Sequence, residues 1–317
     1  MKNYLLTTLC ALGASFLFCW TLIPVLRKWK MGQNILSYVK EHKKKSGTPT
    51  MGGLAFIFAA VVSSLLFIKE YDRIAVVTLT VGLAYMLVGF IDDLLKKRHG
   101  KNLGLKAYQK LIFQGSVAVF VGLFCIKNGL TFLNIPFTQK TVDIGNFSFV
   151  LTVFVFIATV NAVNLTDGLD GLAAGACIPF FATLGILSAL LSGDTSCAII
   201  SFSLVGALLS YLVFNVSTAS VFMGDTGSLG LGGFAACIAA FSGNSLYLLV
   251  VGAVFVASVV SVIAQVMYFK VTGGKRIFLM SPLHHHFQQK GYSESKIAYA
   301  YFLITLALGL ICIVSII

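Results

Sequence analysis

YLLTTLCALGASFLFCWTLIPVL, residues 4–26, runs for twenty-three positions without a charged side chain. A helix needs about 20 predominantly apolar residues to cross a hydrocarbon layer of about 30 Å. The stretch is too long for the apolar part of a signal peptide. Only Lys2 precedes it, and its positive charge (Arg27, Lys28, Lys30) follows it, the reverse of a secretory leader. It reads as a first membrane span with its N-terminus outside.

Nine further stretches repeat the pattern, near 51–68, 74–91, 110–126, 148–163, 171–191, 196–214, 228–242, 246–269 and 297–317. The eighth is the weakest, being short and rich in Gly and Ala. The composition agrees: 58% of the 317 residues are hydrophobic and 11% charged, against about a quarter charged in an ordinary soluble domain. The expectation is one all-α polytopic membrane domain over residues 1–317, with ten spans and both termini outside. On that threading 18 of the 23 Lys and Arg residues fall in or at the edges of the inner loops, as the positive-inside rule requires. Omitting the eighth span would carry the basic segment 270–296 to the opposite side. The net charge of +12 is explained by topology alone, so it argues for neither an anionic substrate nor a nucleic-acid partner.

The seven cysteines form no C-x-x-C pair and stand at no zinc-ligand spacing from a histidine. They read as small apolar filler, with no disulfide framework. Among the outer connections only 127–147 is long, and its pattern suggests a small β-hairpin.

The inner loops differ in kind. Asp92 and Asp93 end the third span. Asp167 and Asp170 sit in Asn161-Ala-Val-Asn164-Leu-Thr-Asp167-Gly-Leu-Asp170-Gly, and Asp225 sits in Met223-Gly-Asp225-Thr-Gly-Ser. The loops holding the last three contain no Lys or Arg, so Asp170 and Asp225 have no partner within their own loops. A carboxylate at a membrane boundary costs a few kcal/mol unless paired, solvated or metal-bound. For any single Asp a helix cap or a wet surface position is an adequate account. Five on one face from three loops point instead toward Mg²⁺, which takes oxygen ligands and bridges proteins to phosphates. Asp92 and Asp93, about 100° apart on a helix, need not share a role.

Ser281-Pro282-Leu-His284-His285-His286-Phe is the second anomaly. Ser as N-cap with Pro at the first helical position makes a good helix start. Three successive imidazoles fan around a helix, so phosphate contact or acid/base work fits them better than one three-His metal site. A solvated polar loop is the plain alternative. Glycines around Thr50 and Asp225 permit close backbone approach to a ligand, and Lys96, Lys106 and Lys110 either meet phosphate oxygens or follow the inside rule. Together these features describe a membrane enzyme acting on a phosphorylated substrate from the cytosolic side, with a lipid as a candidate acceptor.

Five segments carry a family resemblance: Gly47-Thr-Pro-Thr-Met-Gly-Gly53; Asp92-Asp93 with Lys96; Asn161 through Ala173; Val221-Phe-Met-Gly-Asp-Thr-Gly-Ser228; and Pro282-Leu-His-His-His-Phe287. In this order the chain resembles the polyprenyl-phosphate N-acetylhexosamine-1-phosphate transferases. The first and last segments are similar to the muramoyl-pentapeptide branch. One departure is Gln288, where the family usually has an acidic residue.

The resemblance implies transfer of phospho-N-acetylmuramoyl-pentapeptide from its UDP donor to undecaprenyl phosphate, giving lipid I and UMP in cell-wall synthesis. It also implies Mg²⁺, a homodimer, and a site on the cytosolic side of the bacterial cytoplasmic membrane. Residue by residue it makes Asp225 the metal ligand, and Asp92 the group that orients or deprotonates the lipid phosphate, with Asp93 in support. Lys96 and Lys110 contact phosphates. Asn164, Asp167 and Asp170 line a nucleoside pocket where Phe222 stacks on uracil. Lys45, Thr50, Asn215, Gln265, His285 and His286 complete the cleft, with His284 counted among the catalytic groups. Two other readings stand beside it. One is a relative using UDP-N-acetylglucosamine. The other is an ion-coupled transporter, which would carry charge inside its spans and repeated halves.

Overall fold

The computed structural model describes residues 2–29, 31–32, 47–69, 72–99, 104–216 and 218–317. Among these the chain is a bundle of helices with one small hairpin. In order they are α1 (Lys2–Lys28), α2 (Gly53–Phe67), α3 (Arg73–His99), α4 (Ala107–Lys127), α5 (Phe147–Thr166), α6 (Leu172–Leu191), α7 (Thr195–Asn215), α8 (Gly224–Phe241), α9 (Tyr247–Val251), α10 (Ala253–Val271), α11 (Leu283–Gln289) and α12 (Glu294–Val314). Eight are long and apolar enough to cross a membrane: α1, α3, α4, α5, α6, α7, α10 and α12. The protein is a polytopic membrane protein.

Strands β1 (Phe132–Asn134) and β2 (Thr141–Asp143) pair antiparallel, with Leu133 opposite Val142. This is the hairpin expected in 127–147. Asn134 ties it to the far end of α8, donating to the Ser242 carbonyl (3.1 Å) and the Asn244 side chain (3.0 Å).

The weakest expected span is the centre of the molecule. From Thr226 to Phe241 every residue of α8 is buried, packed against α3, α5 and α2. Lipid tails are as apolar as leucine, so membrane helices associate through close packing of small residues rather than hydrophobic burial. The Gly and Ala content of α8 serves that purpose: Gly227 packs on Gly53 of α2, Gly232 on Val160 of α5, and Gly233 on Tyr85 of α3. Outer helices turn their large apolar residues outward instead, as α1 does with Leu5, Leu9, Leu17 and Trp20.

Several boundaries differ from expectation, among them the third: α3 does not end at Asp92 and Asp93 but runs on to His99, so both acids and Lys96 stand on the helix. The ninth stretch is interrupted at Gly252, where α9 ends and α10 begins. Helix α11 starts at Leu283 with Pro282 as N-cap, one residue later than expected. Its first N–H is satisfied by Ser261 Oγ of α10 at 3.0 Å, leaving Ser281 without a capping task.

Candidate active site

All five motif segments meet at one end of the bundle, where α3, α5, α7 and α10 finish and α4, α6, α8 and α12 begin. At its centre are three carboxylates, Asp92 and Asp93 from α3 and Asp225 from α8, each offering an oxygen within 4.8 Å of the others. Two ammonium groups sit among them. Lys96 Nζ lies 2.7 Å from Asp92 and 3.1 Å from Asp225, one helical turn along α3. Lys110 Nζ, from the first turn of α4, lies 2.9 Å from Asp92 and is also bonded to Asp225. With all five groups ionised, one negative charge is left over. Asp92 and Asp93 are almost completely buried, where unpaired carboxylates would be costly.

Neighbouring carboxylates on α3 do different work, as their angular separation demands. Asp92 faces the two lysines and accepts the Leu105 N–H at 2.7 Å. Asp93 is turned to the start of α8, accepting the backbone N–H groups of Asp225 (3.2 Å) and Thr226 (3.0 Å) and the Thr226 hydroxyl (2.7 Å). A helix start leaves N–H groups unpaired and favours negative charge beside it. Asp93 therefore caps α8 from another helix and sets where Asp225 stands. Gly224 makes this approach possible: its φ is +72°, and a Cβ there would collide with the Asp93 carboxylate and the Thr50 hydroxyl. Asn164, in the last turn of α5, fixes the other oxygen of Asp225 (3.1 Å) and bonds Ser228 (2.8 Å).

A second group surrounds this centre. The segment before α2 is laced to the one before α8: Phe222 N donates to Pro49 O (2.8 Å), and Gly52 N to Phe222 O (2.9 Å). That bonding brings Thr50 and Phe222 to the rim. Asp167 follows the last residue of α5; lost hydration, reinforced by the charges of Asp225 and Asp93, pushes its carboxyl up to about 8. Asp170 and Asn215 are engaged in holding loops. Asp170 accepts the Ala219 N–H (3.1 Å), while Asn215 accepts from Gly171 N (3.0 Å) and donates to Val221 O (2.9 Å). Gln265 pins the Ile277 and Phe278 amides.

The histidines split by position. His284 is fully buried, its ring 4.4 Å from that of His285, and neither of its nitrogens has a hydrogen-bond partner among the described residues. Burial, with His285 alongside, holds it down to about 3, so it is neutral. A Cβ on Gly168 would strike its Nε2, which puts the triad directly against the Asp167 loop. His285 Nδ1 pairs with Gln288 Oε1 at 2.9 Å, the residue that departs from the usual acid. His286 accepts the Leu279 N–H. Lys45 lies outside the described residues.

Comparison with known proteins places the chain in a family. The model described as Glycosyl transferase family 4 matches residues 74–243, and the phospho-N-acetylmuramoyl-pentapeptide-transferase signature 1 matches 45–57. A protein of that name from Caldanaerobacter subterraneus subsp. tengcongensis is 45% identical over 90% of this chain and 89% of its own. Relatives from Thermoanaerobacter sp. (strain X514) and Clostridium perfringens (strain 13 / Type A) are 43% and 44% identical, over 96% and 93% of this chain and 96% and 92% of theirs. The chain belongs to the phospho-N-acetylmuramoyl-pentapeptide-transferase family.

In this member of the transferase family four further groups, beyond those expected from the sequence, belong to the site. Thr226 and Ser228 bond Asp93 and Asn164, and both lie inside a quoted motif. Gly168 does too. Glu294 reaches the Asp170 N–H (3.1 Å) from the start of α12, 124 residues away, and no local pattern announces it.

Proposed function

We propose that the chain transfers phospho-N-acetylmuramoyl-pentapeptide from its UDP donor to undecaprenyl phosphate, giving lipid I and UMP. The reading includes ten spans with both termini outside, a site on the cytosolic face of a bacterial cytoplasmic membrane, and a homodimer. The observation that carries it is the cluster of Lys96 and Lys110 between Asp92 and Asp225, because two anions must meet wherever one phosphate attacks another. The relatives' names supply the transferred group, phospho-N-acetylmuramoyl-pentapeptide.

An oxygen of the lipid phosphate bonds to the sugar-linked phosphorus, and the bond from that phosphorus to UMP breaks. Charge neutralisation and in-line positioning carry such a reaction. Lys96 and Lys110, oriented by Asp92 and Asp225, offset the phosphate charges. Asp92 takes the proton if the lipid phosphate arrives protonated. Asp93 keeps Asp225 in place by capping α8. Neutral His284, with His285 beside it, lies against the Asp167 loop and borders the donor's side of the cleft.

Magnesium fits the donor set: three carboxylates converge, all with the oxygen ligands a hard cation takes, and ammonium groups already lie where positive charge is wanted. Asp225, assisted by Asp92, would hold it, and when bound it would neutralise pyrophosphate oxygens.

The test is UMP release by detergent-purified protein with undecaprenyl phosphate and Mg²⁺. UDP-N-acetylmuramoyl-pentapeptide and UDP-N-acetylglucosamine are supplied in parallel, each with an EDTA control. Release from the first donor alone, lost with EDTA, is expected. Release from the second alone would keep the chemistry and overturn the donor assignment.

A further inference from the structure

Helix α3 has a second working face at the end that carries Asp92 and Asp93. At 100° per residue, Asp92, Asp93 and Lys96 occupy one side, while Ile91, Leu94 and Arg98 lie on the opposite side. That outer side is an exposed stripe, Leu87, Ile91 and Leu94, running along the helix and ending in Arg98. Ile91, Leu94, Leu95, Lys97 and Arg98 line a groove of about 510 Å³ whose surface is mostly apolar, with both cations at one end.

The end of α1 adjoins it. Lys97 Nζ donates to the Trp29 carbonyl at 2.6 Å, and the Trp29 ring is exposed beside Arg27 and Lys28. Tryptophan is enriched at membrane interfaces, its amphipathic ring lying at headgroup level.

From this geometry we infer that the groove is a binding site for an anionic phospholipid. One acyl chain lies along Leu87, Ile91 and Leu94, and the phosphate meets Lys97 and Arg98. Charge complementarity selects the occupant: an apolar track that ends in Lys97 and Arg98 fits a lipid carrying net negative charge better than a zwitterionic one. Because the groove backs away from Asp92 and Asp93, its occupant is not the lipid that reacts. Its effect is to clamp the end of α3 to the end of α1, steadying the helix that carries both acids.

The test uses dioleoylphosphatidylglycerol and dioleoylphosphatidylcholine added separately to the delipidated full chain, read by native mass spectrometry and by thermal unfolding. Phosphatidylglycerol is expected to be retained and to raise the unfolding midpoint, with phosphatidylcholine doing neither. A basic residue near an anionic surface is worth about fivefold in affinity, so K97A/R98A is expected to bind phosphatidylglycerol about 30-fold more weakly. K275A/R276A, which removes two cations elsewhere at this end of the bundle, is expected to bind as the wild type does. Equal losses in the two double variants would mean diffuse surface charge and overturn the site. So would wild-type binding by K97A/R98A, or displacement of phosphatidylglycerol by equimolar undecaprenyl phosphate.

Discussion

Gly89 tests whether the close contact of α3 with α8 sets the active-site geometry. The residue lies one helical turn before Asp92 and Asp93, and a Cβ there would strike the carbonyl of Asp225 and the amide of Thr226. These are backbone atoms, which cannot rotate aside, so Gly89→Ala must push the start of α8 away from α3. Overpacking of this kind costs about 1–3 kcal/mol, and the better helix propensity of alanine returns at most about 1 kcal/mol. The displaced segment is the one Asp93 holds with three hydrogen bonds, so Asp225 moves relative to Lys96 and Lys110. A misplacement of about 1 Å at reacting groups is enough for roughly a 100-fold loss of rate. Gly175→Ala is the matched control, since a Cβ at that buried helical position meets nothing within 4 Å. The assays are UMP release and thermal unfolding in detergent. The expected result is a lower midpoint and about 100-fold slower turnover for Gly89→Ala, with Gly175→Ala unchanged or slightly stabilised. Wild-type turnover in Gly89→Ala would refute the reasoning, because the α3–α8 contact would then not govern the position of Asp225.

Three further outcomes are expected. Asp225→Asn keeps its hydrogen-bonding shape but removes the charge shared by Lys96 and Lys110; turnover should fall by about 10³-fold or more, with the unfolding midpoint kept, and robust residual turnover would sink the metal-ligand role. His284 is held down to about 3 against an ordinary 6.5. Between those values the unfolded chain binds a proton there that the folded chain does not, so stability is full above pH 6.5 and falls as pH drops, by about 2 kcal/mol at pH 5. His284→Phe should flatten that part of the midpoint-versus-pH curve. Gly168→Ala, whose methyl would press on the His284 ring, should raise the KM for the UDP donor more than it lowers kcat, measured by initial-rate kinetics at saturating lipid.

Much of this is legible in the sequence, for identifiable reasons. Spans declare themselves through uninterrupted apolar runs, and acids stranded in loops without basic neighbours declare a need for partners elsewhere. Asp225 had no partner in its own loop, and the structure supplies Lys96 from α3 and Lys110 from α4. What was illegible is the division of labour. The doublet Asp92-Asp93 reads as two like groups, yet one faces the lysines and the other caps a helix 132 residues away. Glu294 was invisible for a similar reason, since its contact is with a backbone amide and backbone amides leave no trace in side-chain patterns.

Helix α8 shows why a hydropathy signal and structural importance run in opposite directions here. A helix exposed to lipid must be apolar in its side chains, so α1 carries Leu, Phe and Trp on its surface. A helix surrounded by other helices meets no lipid and is selected for thinness, so α8 carries Gly, Ala and Ser and scores weakly as a span. That thinness lets the start of α8 come close enough to α3 for Asp93 to reach two of its amides. The same closeness brings Asp225 within bonding distance of Lys96. The feature that made the eighth stretch easiest to overlook is therefore the one that assembles the site, and lengthening any side chain on that seam should affect turnover before it affects insertion into the membrane.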